Sequence, residues 1–439
     1  MISKLNPPPA VRKIASTLEK AGFETWCVGG AVRDAILGHP HLDWDLATAA
    51  RPKQVRNLFA RTVPVGIDFG TVGVLDDHDV MHEVTTFRRD VHTDGRHPVV
   101  DFGASLDEDL ARCDYTINAI AYSPARHELQ DPFHGQEDLE NRIVRAVGEP
   151  HERMREDRLR ALRAMRFASR FDFEIEPKTW EAIVASAPFL SRLSAERVKQ
   201  EIEKTMDQVR FPKRAFELWK KSGAFETLIP PLAGITDVEL STLDHMCLPT
   251  LPGRPQRRIA RMIGLFAAAS PAEVVLETLK SLRFSNADSA WVQGVISRWS
   301  AMEPELRSSL SDSTPPSDAT LRKWAAAAGR TRLASVLRLA DARWAAEREA
   351  GIAAPRPGNV ASAYRRALRI AYRDPIEVAD LAVNGRDLEK IGMAGPVVGR
   401  TLRKLLDVVI TDPAANSRTG LLEHARLLLE EIRTGTSAP

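Results

Sequence analysis

At 439 residues the chain is too long for one ordinary hydrophobic core, which implies several domains or a modular helical array. Apolar residues at 44% and charged residues at 27% exclude an intrinsically disordered chain. A formal net charge of +2 excludes a uniformly basic nucleic-acid coat, so any basic surface must come from local clusters.

No apolar run is long enough to cross a bilayer, and the opening MISKLNPPPA lacks the apolar stretch of a secretion signal. A cytoplasmic location is expected. Cys27, Cys113 and Cys247 are odd in number and far apart, so neither a disulfide framework nor a CxxC metal site is readable.

In chain order, residues 10–22 carry a helical apolar pattern ending at Gly22, and TWCVGG reads as a short strand running into a turn. AVRDAILG predicts a short helix closed by Gly38, LDWDLAT a strand, and PKQVRNLFA a helix. Strands are predicted at TVGVL, DVMHEVTTF, VVDFG and INAIAYS. After about Val147 the strand signals fade, and helices follow one another through Pro- or Gly-marked connections such as LIPPLAG and LPTLPGRP. The stretch 308–318 (SSLSDSTPPSD) is expected to be a loop, and 352–358 (IAAPRPG) a boundary before a final module. No fixed-period repeat is present. Arginine is dense from Arg153 to Arg170, and again at Arg254, Arg257, Arg258 and Arg261; each cluster alone is also what a solvated helix face looks like.

VGGAVRD sets two glycines between a strand and a helix, where backbone N–H groups can approach phosphate oxygens. A tight turn needs the same residues. Arg33 lies one helical step beyond and can add a charge-assisted contact to a triphosphate. Asp43 and Asp45 are separated by one residue in a strand-like segment and project to one side. Two such carboxylates suit a two-metal site, in which one ion lowers the pKa of an attacking hydroxyl and the other steadies the triphosphate. Glu83, in HEVTTF, is a candidate third carboxylate, a position that also suits an ordinary exposed strand residue.

VGGAVRDAILG followed by LDWDLAT resembles the catalytic motif of class II nucleotidyltransferases in the DNA polymerase β superfamily, the bacterial tRNA CCA-adding enzymes and their poly(A) polymerase relatives. The resemblance implies metal binding by Asp43 and Asp45 and triphosphate contacts from Gly30 and Arg33. EVTTFRRDVHTDGRHPVVDF is similar to the segment holding the family's flexible loop, with Glu83, Asp94, Arg96 and Pro98 at matching places. DLARCDYTINAIAY resembles the ribose-contacting motif through Asp114 and Asn118, EDRLRALRAMRF the nucleobase-selecting motif, and LSAERVKQEI the short helical motif after it. The five motifs run in order from residue 28 to 202. One departure stands out: the second of two arginines usual before the aspartate of the ribose motif is Cys113, leaving Arg112 to compensate.

If residues 156–168 are helical, Asp157, Arg160, Arg163 and Arg166 recur every three residues along one stripe. Asp157 can accept a hydrogen from an exocyclic amine while Arg160 donates to the neighbouring ring nitrogen. Cytosine and adenine offer that pattern, whereas uracil and guanine reverse it and leave acceptor facing acceptor. The resemblance assigns the same role to Asp157 and Arg160, with Arg163 and Arg166 nearby on nucleotide or phosphate. An exposed i,i+3 ion pair is the other reading of the same residues.

RIARMIGLFAAASPAEVVLETLKSLRFSNADSAWVQGVISRW is similar to the helical domain of relatives carrying an HD phosphohydrolase. Gly264 and Leu265 stand where those proteins have His-Asp, and Asp244-His245 has no recognisable partners, so no phosphohydrolase activity is expected. LAVNGRDL and GPVVGRTLRKLL resemble the family tail. There Gly395 and Gly399 precede Arg400, Arg403 and Lys404, a phosphate-contacting arrangement or a plain helix start.

The expected architecture is an α+β nucleotidyltransferase (polymerase β-like) head over residues 1–142, then an all-α neck (143–210), body (211–355) and tail (356–439). The expected reaction is Mg2+-dependent, template-independent addition of CCA to the 3′ end of tRNA from CTP and ATP. Addition of A alone, poly(A) synthesis and an inactive RNA-binding protein are the alternatives. The expected partners are tRNA, CTP and ATP, with no membrane and with the oligomeric state open.

Overall fold

The computed structural model describes residues 5–39, 43–92, 99–246, 257–269 and 271–434. Asp94, Arg96, Pro98, Cys247 and Arg254 lie outside the described residues. Two compact units make up the chain: Met1–Val209 with Arg214–Pro230, and Arg210–Lys213 with Pro231–Pro439. Among the described residues no helix is long and apolar enough to cross a membrane.

The first unit opens with helix α1 (Pro9–Lys20), whose Val11, Ile14, Ala15 and Leu18 form the buried stripe of an amphipathic helix. It stops ahead of Gly22, which takes φ 86°. Strand β1 (Thr25–Val28), helix α2 (Gly30–Ile36), strand β2 (Asp45–Thr48) and helix α3 (Pro52–Leu58) follow. Next come β3 (Thr62–Gly66), β4 (Thr71–Leu75), β5 (Met81–Thr86), β6 (Arg88–His92), β7 (Val99–Phe102), α4 (Leu106–Leu110), β8 (Ala121–Ser123) and β9 (Glu128–Gln130). Seven strands form one mixed sheet in the order β3-β4-β5-β2-β1-β8-β9. Its β2–β5 pair is parallel. Trp26, Ala47, Phe87, Leu106, Leu110, Ala119, Ala121 and Val147 form a core against one face.

The chain then becomes helical. Helix α5 (Gly135–Asn141) leads to β10 (Ile143–Val144), and α6 (Pro150–Glu156) and α7 (Leu159–Phe171) to β11 (Glu174–Ile175). Helices α8 (Pro177–Ser186), α9 (Ala195–Gln208), α10 (Lys213–Ser222) and α11 (Ala224–Leu228) follow.

Among its described residues the second unit is built of helices: α12 (Asp237–His245), α13 (Arg257–Phe266), α14 (Ala272–Ser281), α15 (Asn286–Ser311), α16 (Asp318–Ala328), α17 (Leu333–Glu349), α18 (Pro357–Arg373), α19 (Gly385–Glu389), α20 (Pro396–Thr411) and α21 (Arg418–Thr434). Helix α17 packs along α12 and α15, and α18 along α16 and α17. A separate apolar cluster of Leu381, Val383, Leu388, Met393, Leu405, Val409, Leu421 and Ala425 holds α19, α20 and α21 together.

Several sequence expectations shift. INAIAYS is a strand only from Ala121, because Thr116–Asn118 forms a 3-10 turn whose Asn118 side chain is taken up by other groups. The predicted loop 308–318 begins only after Ser311, since buried Leu306 and Leu310 hold the last turns of α15 in place. The edge strand β3 was not predicted: Pro64 argues against a strand, but at a sheet edge its missing N–H is tolerated. The basic cluster at 254–261 is not a uniform surface either, because Arg261 is buried and donates through Nη2 to the Arg210 carbonyl at 2.9 Å.

Candidate active site

One end of the mixed sheet gathers the sequence-singled residues. Strand β1 ends at Val28, and Gly29 turns the chain with φ 74° and ψ −139°, a conformation that only glycine adopts without strain. Gly30 is the first residue of α2. Val28 pairs with Asp45 across the β1–β2 ladder, so the glycine turn lies alongside the segment carrying both aspartates. Asp43 is exposed, Trp44 buried, Asp45 exposed and Leu46 buried, an alternation that sends both carboxylates to the open face. Asp43 precedes the hydrogen-bonded strand, which starts at Asp45.

Leu46 pairs with Val84 on the parallel neighbour β5, which brings Glu83 beside Asp45. The carboxyl of Asp45 is pushed up to about 6, first by its seating within the protein and then by the charges of Asp43 and Glu83. Carboxylates that repel one another in this way are a donor set for a hard divalent cation. Among the described residues no group of three or more His, Cys, Asp or Glu side chains is already gathered for a metal.

Behind the glycine turn a buried polar chain ties the sheet to α7. Arg33 is 3% exposed; its Nε donates to Asp34 Oδ1 at 2.7 Å and its Nη1 to Asn118 Oδ1. The guanidinium also lies against the rings of Phe167 and Phe171, 5.1 and 4.7 Å from their centroids. Asn118 Nδ2 donates to Asp114 Oδ1 at 2.7 Å, and Arg163 Nε donates to Asp114 Oδ2 at 2.6 Å. Burial opposes the charge on Asp114, but Arg163 and Asn118 outweigh it and hold the carboxyl below its usual range.

Cys113 is half-buried against the sheet core, and burial first, then Asp114, pushes its thiol up to about 12. The carbonyls of Arg112 and Cys113 each accept from Arg153 Nη2 at 2.7 Å. Arg112 itself lies 3.5 Å from Asp109. The sequence did not mark Arg153 individually, although it lies in the arginine-dense stretch.

The expected four-residue stripe is broken at its first member. Helix α6 ends at Glu156, Asp157 is extended at φ −148° and ψ 107°, and α7 begins at Leu159. The cause is local: Asp157 Oδ1 accepts from the Leu159 N–H at 3.0 Å, the turn-forming habit of aspartate that competes with helix. Asp157 Oδ2 accepts from Arg197 Nη2 at 2.7 Å, and Arg160 Nη1 donates to Glu156 at 2.7 Å and to the Arg153 carbonyl at 2.8 Å. Arg166 is buried in α7 and paired with Glu201 of α9 at 2.7 Å. Arg197 was missed as a site residue; the motif LSAERVKQEI pointed to its helix but not to its contact. Asp157 and Arg160 thus occupy the junction of α6 and α7, each braced by a charge of opposite sign.

In the second unit, Gly264 is buried in α13, where a Cβ would lie 2.9 Å from Met246 Cγ. Asp244 accepts from the Lys213 N–H at 2.9 Å, and His245 lies 3.0 Å from Glu349. Gly395, Gly399, Arg400, Arg403 and Lys404 are exposed around the start of α20, while Thr401, Leu405 and Val409 face inward.

Residues 25–145 match the family described as "Poly A polymerase head domain", and residues 172–235 match "Probable RNA and SrmB- binding site of polymerase A". The CCA-adding enzyme of Lactiplantibacillus plantarum is 33% identical over 425 residues, 96% of each chain. That of Streptococcus suis is 45% identical over 237 residues, 53% of this chain and 58% of the relative, so that match spans little more than half of either protein. Among solved structures, the Bacillus stearothermophilus CCA-adding enzyme in complex with CTP is 31% identical, with a TM-score of 0.76 over 97% of this chain and 100% of that one.

Proposed function

Since the chain belongs to the CCA-adding enzyme family, we propose that it adds C, C and A in turn to the 3′ end of tRNA, using CTP and ATP and no template. In this reaction the RNA 3′-hydroxyl attacks the α-phosphorus of the nucleotide, one phosphodiester forms, and pyrophosphate leaves. The observation that carries the reading is the crowding of Asp43, Asp45 and Glu83 beside the Gly29–Gly30 turn at one end of the sheet.

Asp43 and Asp45 would hold Mg2+, in a two-metal arrangement that supplies charge neutralisation of the triphosphate and a lowered pKa for the attacking hydroxyl. Gly29 and Gly30 let the backbone approach phosphate closely, with no Cβ on either residue. Arg33 and Asn118 hold the first turn of α2 and the ribose-facing turn in register, and Asp114, Arg163 and Arg112 border the same position. Asp157 and Arg160 choose the base. A carboxylate has about four acceptor directions, so Asp157 can receive an exocyclic amine while Arg197 fixes its orientation. Arg160 uses only Nη1 in its hydrogen bonds within the described residues, which leaves donors for a ring acceptor. Arg166 acts from behind, locking α7 to α9. Within the two compact units, the segments 1–142, 143–210, 211–355 and 356–439 serve as head, neck, body and tail, with the exposed basic start of α20 on RNA phosphates and the work done in the cytoplasm.

The reading is tested against poly(A) synthesis by offering ATP alone, with Mg2+, to an oligoadenylate primer and to a tRNA that already ends in CCA. Neither should be extended. A long A-tail on the oligoadenylate would replace this reading with a poly(A) polymerase.

A further inference from the structure

Most arginines between residues 145 and 214 whose guanidinium is placed in a contact have a carboxylate partner. Arg145 meets Asp138, Arg153 and Arg160 meet Glu156, Arg163 meets Asp114, Arg166 meets Glu201, Arg170 meets Asp34, Arg197 meets Asp157, and Arg214 meets Asp172 and Glu174. Four do not follow that pattern: Arg210, whose guanidinium lies over the ring of Phe211, and three others that lie together. Arg155 of α6, Arg158 at the start of α7 and Arg192 at the end of the 3-10 turn Ala187–Arg192 have no ion pair among the described residues. Two of them share an aromatic ring: the guanidinium carbons of Arg158 and Arg192 lie 4.9 and 5.3 Å from the centroid of Phe189.

Phe189 is 43% exposed, and it borders with Arg155, Arg158 and His151 a cavity of about 390 Å³. Arg158 donates to a neutral partner, Ser186 Oγ, at 3.1 Å. Burial, then the like charges of Arg192 and Arg155, make its protonated state harder to hold than usual. Three cations gathered without a counter-charge cost stability, and a bound anion relieves that cost. The ring restrains two guanidinium planes whose forks suit the paired oxygens of phosphate.

We infer that Arg155, Arg158 and Arg192, arranged around Phe189, form a docking surface for the phosphate backbone of the RNA substrate. The inference rests on the reading that RNA is what this chain extends, and adds where part of its backbone is held. Arg158 follows Asp157 directly in the chain, so the surface adjoins the position proposed to choose the base. Contacts of this kind carry no base preference and act through counterion release.

The test uses the full-length protein, a tRNA transcript lacking CCA, and anisotropy titrations over a range of KCl concentrations without nucleotide. For R155Q/R158Q/R192Q the dissociation constant is expected to rise at least about tenfold, and the slope of log Kd against log[KCl] to fall by roughly 2 to 3, since each lost phosphate contact removes about 0.7 to 0.9. The triple lysine variant keeps the charges and should keep the slope. CTP binding, read separately, should not change, and kcat at saturating tRNA should stay within about twofold. An unchanged Kd and slope in the glutamine variant overturns the inference, and so does a loss of CTP binding in parallel with RNA binding, which would mean a damaged fold. Failure of the wild-type protein to extend tRNA would instead strike the functional reading, because the binding slope is measured without extension.

Discussion

Asp45 has a direction of titration that can be read in two ways. Its folded carboxyl sits at about 6 against an ordinary 3.8, so the folded protein binds this proton more tightly than the unfolded chain. The linkage therefore runs against stability: ionised Asp45 opposes folding above about pH 6, and that opposition fades as pH falls toward 4. A divalent cation reverses the balance by favouring the ionised form. Mg2+ is expected to raise the melting temperature at pH 8 more than at pH 5.5, and the rise should be much smaller in D45N. An equal rise in D45N would place the ion elsewhere. In the same region D43N or D45N should lower nucleotide transfer by at least about a thousandfold while tRNA binding persists, which filter binding beside a transfer assay would show. Cys113, with its thiol pushed up to about 12, is roughly one part in ten thousand thiolate at pH 8, and burial raises Cys27 as well. Peptide mass mapping after iodoacetamide treatment of the native protein should find both unmodified. Residue identities were the most legible level: the order of Gly30, Arg33, Asp43, Asp45, Glu83, Asp114 and Asn118 is plain in the sequence. Their partners were not. Nothing in the spacing of Arg33 shows that its guanidinium turns inward to Asn118, because that contact joins positions 85 residues apart.

At the scale of elements, the bracing of α7 decides what its arginines can do. The Arg166–Glu201 pair joins side chains that are 4% and 2% exposed, and removing Arg166 leaves the buried Glu201 carboxylate facing only the more distant Lys204, 3.7 Å away. R166M is expected to destabilise the first unit by about 3–5 kcal/mol, read as a lower urea midpoint; a change under about 1 kcal/mol would mean that water reaches the pair. Arg197 braces Asp157 from α9, so R197A should loosen the choice of base, raising UTP or GTP incorporation relative to CTP without abolishing transfer. Unchanged selectivity would detach this contact from nucleotide choice. The helix periods of α1, α2 and α3 were legible from apolar spacing and, for α1 and α2, closing glycines, whereas α9 was marked only by the resemblance of LSAERVKQEI to a helical motif. The break between α6 and α7 was not, since EDRLRALRAMRF has an uninterrupted helical pattern and the break depends on one carboxylate bonding to a backbone N–H two residues on. Strand β3 was hidden for a similar reason: its exposed Val63 and Val65 and Pro64 lack the pattern of a strand buried on one face.

For the whole molecule, the change from mixed sheet to helix after about residue 147 was legible because apolar periodicity itself changes there. The division into two compact units was not, because it depends on which helices pack together. Helix α18, for example, follows a Pro/Gly-marked connection yet packs on α16 and α17. The central claim is that this architecture extends tRNA by a fixed sequence of three nucleotides. The most direct measurement incubates the purified protein with Mg2+ and a tRNA lacking CCA, supplies CTP, ATP, UTP or GTP singly and together, and sizes the products at nucleotide resolution. The account predicts two additions with CTP, a third only when ATP is also present, and then arrest. Extension by ATP alone, or no extension under any combination, would contradict it.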